Sequence, residues 1–280
     1  MNILIVGVGL IGGSFSLALQ HRKELTFGAY DSAKNALDEA IKLGIISKSF
    51  ATIEEGIQWA DVIILSVPVN VIKALLPKVF ASISSEQLIV DFGSTKATIC
   101  EVADKHANRS QFIAAHPIAG TEHSGPSAAF ESLFKGQNLI LCDTEKTNPV
   151  MLKLFESLAE SAGFYITKMN AEEHDRHLAY ISHLSHITSY ALSNAVLKKE
   201  KDGEVILDLA GSGFESTVRL AKSSPEMWSS IFLENREMVL KGIEAYKAEL
   251  ESLETYIRQG DQEAIHHYLE EGRGIRKILR

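Results

Sequence analysis

Through the first half of the chain, short apolar runs of strand length alternate with amphipathic segments of helix length. The apolar runs at Asn2–Val6, Leu25–Tyr30, Val62–Val67, Gln87–Asp91, Phe112–Ala115, Asn138–Cys142 and Phe164–Lys168 are candidate strands. Several are near-continuous in Val, Ile and Leu, which suits strands covered on both faces. Between them, Ile11–His21, Ser32–Leu43, Asn70–Phe80, Lys96–Lys105 and Pro149–Ala162 carry helical patterns. Strand, helix and strand repeated in this way predict a parallel α/β sheet with helices on both sides.

The texture changes at Ala171. A long helical pattern occupies 171–200, and 224–280 reads as further helices rich in Glu, Lys and Arg. Strand character there is confined to a short stretch at Val205–Leu207. The pattern therefore predicts a doubly wound α/β domain over 1–168 and an all-helical domain over 169–280. Tyr190, Leu192, Phe232, Tyr246 and Tyr256 fall on the helices of the second part, as a dimer interface or as its own core.

Composition narrows the class. The chain has 280 residues, 45% hydrophobic and 23% charged, with a formal net charge of −8. That is ordinary globular composition, and its average field repels both a phosphate backbone and an anionic bilayer. It argues against nucleic-acid and membrane partners. No apolar run approaches the roughly 18 residues of a membrane span. The start, MNILIVGVG, has no basic leader region. Cys100 and Cys142 are the only cysteines and neither lies in a CxxC, so a reduced, cytoplasmic setting is expected.

The first strand runs directly into Gly7-Val8-Gly9-Leu10-Ile11-Gly12, which opens the first helix. In this context Gly7 permits the tight turn, Gly9 lets backbone approach a pyrophosphate, and Gly12 lets the helix pack closely on the strand. The pyrophosphate sits on the helix N-terminus, where N–H groups and the helix dipole favour an anion. Asp31, 19 residues past Gly12, closes the second strand. A carboxylate there accepts from the ribose hydroxyls and repels a 2′-phosphate, which selects NAD over NADP. The same residue suits an N-cap for the next helix. S-adenosylmethionine folds also place a glycine loop after their first strand, but with GxGxG spacing; NAD is the better fit.

Ligands of open α/β sheets bind beyond the carboxyl ends of the strands. The segments there are Ser66-Val67-Pro68, Asp91-Phe92-Gly93-Ser94-Thr95-Lys96 and His116-Pro117-Ile118-Ala119-Gly120-Thr121-Glu122. His116 is the sharpest candidate, because oxidation of an alcohol must place the hydroxyl proton somewhere. In the helical part, His174 and His177, and His183 and His186, are two i,i+3 pairs. Helix-borne zinc pairs more often run i,i+4, and neither cysteines nor a carboxylate triad assist, so no metal is expected. His183 and His186 are read as facing an interdomain cleft, and His174 and His177 as surface residues. Arg219 follows the glycine-containing segment Gly211-Ser212-Gly213, and its guanidinium suits a carboxylate.

Taken together, GVGLIGGS at 7–14, DFGSTK at 91–96, HPIAGTEHSGP at 116–126, SHLSH at 182–186 and FESTVRLA at 214–221 resemble the prephenate/arogenate dehydrogenase family of tyrosine biosynthesis. The resemblance implies a Rossmann-type domain followed by a helical substrate and dimerisation domain, a homodimer, and NAD as cofactor. The reaction it implies is oxidative decarboxylation of prephenate to 4-hydroxyphenylpyruvate. Hydride passes to NAD, the ring hydroxyl loses its proton and the ring carboxylate leaves as CO2.

Carried over position by position, His116 would be the base and Ser94 would orient it and the hydroxyl. Arg219 would clamp a substrate carboxylate, with Ser182 and His186 nearby and Thr121 and Glu122 lining the entrance. Gly7, Gly9, Leu10, Ile11, Gly12, Asp31, Ser66 and Pro68 would hold the cofactor. The chain departs from the family pattern in two places. Ser185 stands where HLPH has proline, and Glu215-Ser216 stand where an Arg-Asp pair is common. The second departure removes a gating ion pair unless Glu215 supplies the carboxylate.

Prephenate carries a keto side chain where arogenate carries an ammonium. A donor at His186 favours the keto acid, so prephenate is expected, with arogenate as the alternative. A β-hydroxyacid dehydrogenase shares the two-domain plan but needs a catalytic lysine, for which Lys198, Lys199 and Lys201 offer no convincing equivalent. A non-catalytic NAD sensor would have no use for His116 or Arg219.

Overall fold

The structure, a computed structural model, describes residues 1–201 and 206–278. Its strands are β1 (Asn2–Val6), β2 (Thr26–Tyr30), β3 (Lys48–Ser49), β4 (Val62–Leu65), β5 (Leu88–Asp91), β6 (Phe112–Pro117), β7 (Asn138–Cys142) and β8 (Tyr165–Met169). They form one eight-stranded sheet in the order β3-β2-β1-β4-β5-β6-β7-β8. The chain reverses direction across the sheet between β1 and β4, which is the crevice where such sheets bind dinucleotides.

Helices α1 (Leu10–Ala18), α2 (Lys34–Lys42), α3 (Ile53–Trp59), α4 (Val69–Ser82), α5 (Ala97–Ala103) and α6 (Pro149–Ser161) connect the strands. Two of these elements lie outside the seven-strand, five-helix pattern of the sequence. β3 is two residues long, too short for any periodicity, and α3 is held by a local cap in which Thr52 accepts from the amide of Glu55 at 3.3 Å. The sheet is also not wholly parallel: β7 runs antiparallel to β6. The connection between them holds the short 3-10 turn Pro126–Ala128 and further turns over 131–136 but no α-helix, and antiparallel neighbours need no crossover helix.

β1 shows why the sheet is covered on both sides. Ile3 and Ile5 enter one apolar layer with Phe15, Phe92 and Phe155, while Leu4 and Val6 enter the other with Ile72, Leu76 and Phe112. Successive side chains alternate across the sheet, so a continuous apolar strand feeds two cores. Burial pushes the thiol of Cys100 up to about 12 and that of Cys142 higher still, which leaves neither available as a nucleophile.

The second layer also takes in residues beyond the sheet. Helices α7 (Ala171–Leu178) and α10 (Pro225–Glu234) contribute Ala171, Leu178, Trp228 and Ile231 to it. A π-helical turn over Ala179–His183 leads from α7 into α8 (Leu184–Lys201), and α9 (Ser212–Val218) precedes α10. One compact unit thus runs from Met1 to Asn235. The second, Arg236–Arg280, contains α11 (Arg236–Gln259) and α12 (Gln262–Gly272). Of the five residues read as interface or core, Tyr190 and Phe232 pack against the second layer, and the Tyr190 hydroxyl donates to the carbonyl of Ser223 at 2.6 Å. Leu192 and Tyr246 are exposed, and Tyr256 lies edge-on to Tyr268. Of the stretch Val205–Leu207, Val205 lies outside the described residues; Leu207 opens a 3-10 turn to Leu209. No helix among the described residues is long and apolar enough to cross a membrane.

One buried ion pair fixes the strand ends. Lys96 and Asp91 are both fully buried, and the Lys96 ammonium donates to Asp91 at 2.5 Å and to the Ala115 carbonyl at 2.8 Å. It therefore ties the end of β5 to the residue preceding His116. Burial pushes the Asp91 carboxyl up to about 6, against the opposing pull of Lys96 and of the Gly93 amide. Removing one partner of such a pair strands the other charge. Lys96→Met should lower the unfolding free energy by about 3–5 kcal/mol in urea titration, with Asp91→Asn added to Lys96→Met recovering part of the loss. A Lys96→Met protein as stable as the parent would contradict this role.

Candidate active site

The glycine loop has the shape its sequence predicts. Gly7 has φ +92°, and a Cβ there would lie 2.6 Å from the Val67 side chain. A Cβ on Gly12 would lie 2.5 Å from the Gly7 carbonyl oxygen, so glycine is required for the helix to sit this close to the strand. At Gly9 the position is open, with nothing within 4 Å, and α1 begins at Leu10 without a side-chain cap. The loop is thus a cradle with free space and a helix N-terminus aimed at it, which fits the pyrophosphate of a dinucleotide. Ile11 is partly exposed beside it, whereas Leu10 turns into the core.

Asp31 buttresses this loop, accepting from the amide of Val8 at 3.0 Å and from that of Ala33 at 2.9 Å. The α2 N-cap is Ala33, so the carboxylate closes the turn before the helix and is not the cap itself. Ser66 donates to the Gly7 carbonyl at 2.7 Å, and Pro68 is the N-cap residue of α4.

His116 stands in the penultimate position of β6, partly exposed. Its Nδ1 lies 2.8 Å from Nε2 of His174, and Nδ1 of His174 lies 2.7 Å from Oδ1 of Asp175. Asp175 also accepts the amides of Lys96 at 2.7 Å and Ala97 at 2.9 Å, so it caps the first turn of α5. A carboxylate with three N–H donors on it can only accept. Nδ1 of His174 must then carry its proton, its Nε2 is the acceptor, and Nδ1 of His116 donates to it. The neutral His116 that results holds a lone pair on Nε2, an atom with no hydrogen-bond partner among the described residues. Burial lowers the His116 pKa well below the ordinary value of 6.5, and the charges of His174, Lys96 and His183 push the same way. His174 is lowered too, chiefly by burial, although Asp175 pulls it back.

His174 is therefore not a surface residue: it is fully buried, while His177 is exposed and lies 3.9 Å from Glu173. The two do not share a face, because α7 buries the stripe Ala171, His174, Asp175 and Leu178. The spacing i, i+3, i+4, i+7 was present in the sequence, and two polar residues on a core stripe are its signal. Lys96, Asp175 and Asn235 were likewise not singled out as site residues. The Ser94 hydroxyl makes no hydrogen bond to His116; His174 occupies the Nδ1 position.

The remaining candidates converge in part. His186 stacks on Trp228, with ring centroids 3.4 Å apart, and its Nδ1 donates to the Ser182 carbonyl at 3.1 Å. Burial lowers its pKa, and the charge of Arg219 adds to this. Neutral His186 therefore presents an acceptor at Nε2, not the donor expected from the sequence. Thr121 and Glu122 are exposed. The Glu122 carboxyl is held below the usual range first by its own backbone amide, then by the charges of His123, Arg219 and Lys222. Arg219, exposed in the turn after α9, is thus close enough for its field to reach both His186 and Glu122. Glu215 pairs with Lys222 at 3.9 Å. No cluster of three or more metal-ligating side chains occurs among the described residues.

A Rossmann sheet with a dinucleotide cradle and a histidine chain at the neighbouring strand end defines an NAD-dependent dehydrogenase. More narrowly, the chain belongs to the prephenate dehydrogenase family. Residues 15–168 match the family profile "Prephenate dehydrogenase, nucleotide-binding domain", and residues 170–271 match "Prephenate dehydrogenase, dimerization domain". It is 33% identical over 282 residues to a prephenate dehydrogenase of Bacillus subtilis (strain 168), spanning 99% of this chain and 76% of that one. Its fold is similar to that of prephenate dehydrogenase from A. aeolicus in complex with hydroxyphenyl propionate and NAD+. The TM-score there is 0.92 at 32% identity, covering 100% of this chain and 98% of the other. Synechocystis arogenate dehydrogenase aligns at TM-score 0.81 and 29% identity over 100% of both chains.

Two outcomes follow from this geometry. Asp31→Ser should raise the KM for NAD and narrow the gap between NAD and NADP in steady-state kinetics; an unchanged ratio would contradict the ribose contact. Asp175→Asn should lower kcat by roughly 10³–10⁴, the scale seen when a carboxylate that fixes a histidine tautomer is made neutral. The KM for NAD should stay nearly constant, and an unchanged kcat would contradict the chain.

Proposed function

We propose that the protein catalyses NAD-dependent oxidative decarboxylation of prephenate to 4-hydroxyphenylpyruvate and CO2, as a cytoplasmic homodimer. In this reading residues 1–168 hold the cofactor, and 169–280 contribute substrate groups and the dimer contact. The observation that carries the reading is the His116–His174–Asp175 chain, which leaves a lone pair on His116 Nε2 at the carboxyl end of β6.

When bound, NAD supplies the hydride acceptor; Gly7, Gly9, Leu10, Ile11, Gly12, Asp31, Ser66 and Pro68 would hold it. His116 Nε2 takes the proton of the ring hydroxyl. The positive charge that then develops on the His116 imidazole is stabilised through His174 by the Asp175 carboxylate, which offsets the cost of charging a partly buried ring. Ser94, on the loop after β5, orients the hydroxyl. Arg219 binds a substrate carboxylate, a task suited to its planar fork and to its position near His186 and Glu122. Ser182 and His186 line the pocket, and Thr121 and Glu122 its entrance. The A. aeolicus relative, bound to a compound with a phenol at one end and a carboxylate at the other, supports a substrate of this class.

Arogenate is the second reading, and a specific observation favours it. The Nδ1 of His186 is committed to the Ser182 carbonyl, so its free Nε2 accepts and would suit an ammonium. NADH formation with NAD and either acid, run side by side, separates the two. Turnover on prephenate is the expected result, in line with the relatives named for that substrate. Turnover on arogenate alone would transfer the assignment, and inactivity with both would overturn the proposed reaction.

A further inference from the structure

Asn235, the residue that ends α10, touches two parts of the site at once. Its Nδ2 lies 2.8 Å from the backbone carbonyl of Asp175 and 3.2 Å from Nδ1 of His183. A carbonyl only accepts, so the contact to Asp175 fixes which amide atom is the nitrogen. An amide nitrogen only donates, so the second hydrogen goes to His183, and Nδ1 of His183 must be unprotonated. Asn235 is buried at 5% exposure and His183 at 1%.

We propose that Asn235 is a positioning residue that fixes His183 as a neutral imidazole with its proton on Nε2, a donor for an oxygen of the substrate. His183 lies edge-on to Trp228 with centroids 6.0 Å apart, and the same indole stacks on His186. The two imidazoles beside one indole thus have opposite polarity: His183 donates from Nε2 and His186 accepts there. The groups whose charge His183 feels are Asp175, His174 and His186. Burial outweighs the favourable field of Asp175 and lowers its pKa to about 4, in keeping with a neutral ring. The same Asn235 side chain braces the backbone of Asp175, so the donor histidine and the chain behind His116 are held by one amide.

That His183 donates to a substrate oxygen rests on the proposed function; the tautomer itself does not. The test is histidine 13C/15N NMR of the full-length protein at pH 7, with His183 assigned by the loss of its signals in His183→Gln. The parent protein should show Nε2 protonated and Nδ1 bare. Asn235→Asp replaces a donor with an acceptor and should move the proton to Nδ1 or charge the ring. Asn235→Leu removes the donor without adding charge and should give mixed tautomers. In folded Asn235→Asp, the KM for the cyclohexadienyl acid that turns over should rise roughly tenfold, the scale of one lost hydrogen bond at the upper end of its range, with the KM for NAD unchanged. Protonated Nδ1 in the parent protein would overturn the proposal even if neither variant folds. An unchanged tautomer in a folded Asn235→Leu protein would do so as well. If neither prephenate nor arogenate turns over, the proposed reaction fails while the NMR result still decides the role of Asn235.

Discussion

The Asp175 carboxylate is the contact on which the rest of the site depends. It caps α5 through the amides of Lys96 and Ala97, and it fixes His174 through Nδ1. Because it can only accept, the direction of every proton behind it is determined out to His116. The buried Lys96–Asp91 pair secures the same corner from the other side by tying β5 to the residue before His116. Helix cap, strand ends and imidazole chain are therefore one assembly, and a base at the end of β6 is its outcome.

Electrostatics explains why such an assembly is needed. Partial burial and the neighbouring His174, Lys96 and His183 make His116 resist protonation, so it is neutral and ready to accept, but burial alone would also make it a poor base. A carboxylate separated from it by the His174 ring compensates without lying close enough to keep His116 charged in the resting state. The helical part repeats the device on a smaller scale. The Ser182 carbonyl sets His186 as an acceptor, and the Asn235 amide sets His183 as a donor.

The sheet and the cradle were legible because they rest on local rules. Continuous Val, Ile and Leu runs mark doubly covered strands, and Gly7 and Gly12 stand where a Cβ would collide with backbone or a neighbouring side chain. The antiparallel turn into β7 was not legible, since periodicity carries no strand direction. His116 could be found as a histidine at a strand end. His174 could not be found by type, because a histidine in a charged helix reads as solvated. Only its place between Ala171 and Leu178 on one stripe reveals burial. Asn235 and the polarity of His186 depend on contacts between segments far apart in the chain, which no local pattern encodes.

The most direct test of this account is the protonation of His116 itself in the intact protein, read by histidine 13C/15N NMR and assigned by the loss of signal in His116→Asn. The account predicts a proton on Nδ1 and a bare Nε2 at pH 7. Because the pKa is lowered, that state should persist as the pH falls below about 6.5, where an ordinary histidine becomes charged. A proton on Nε2, or an imidazolium at neutral pH, would contradict it.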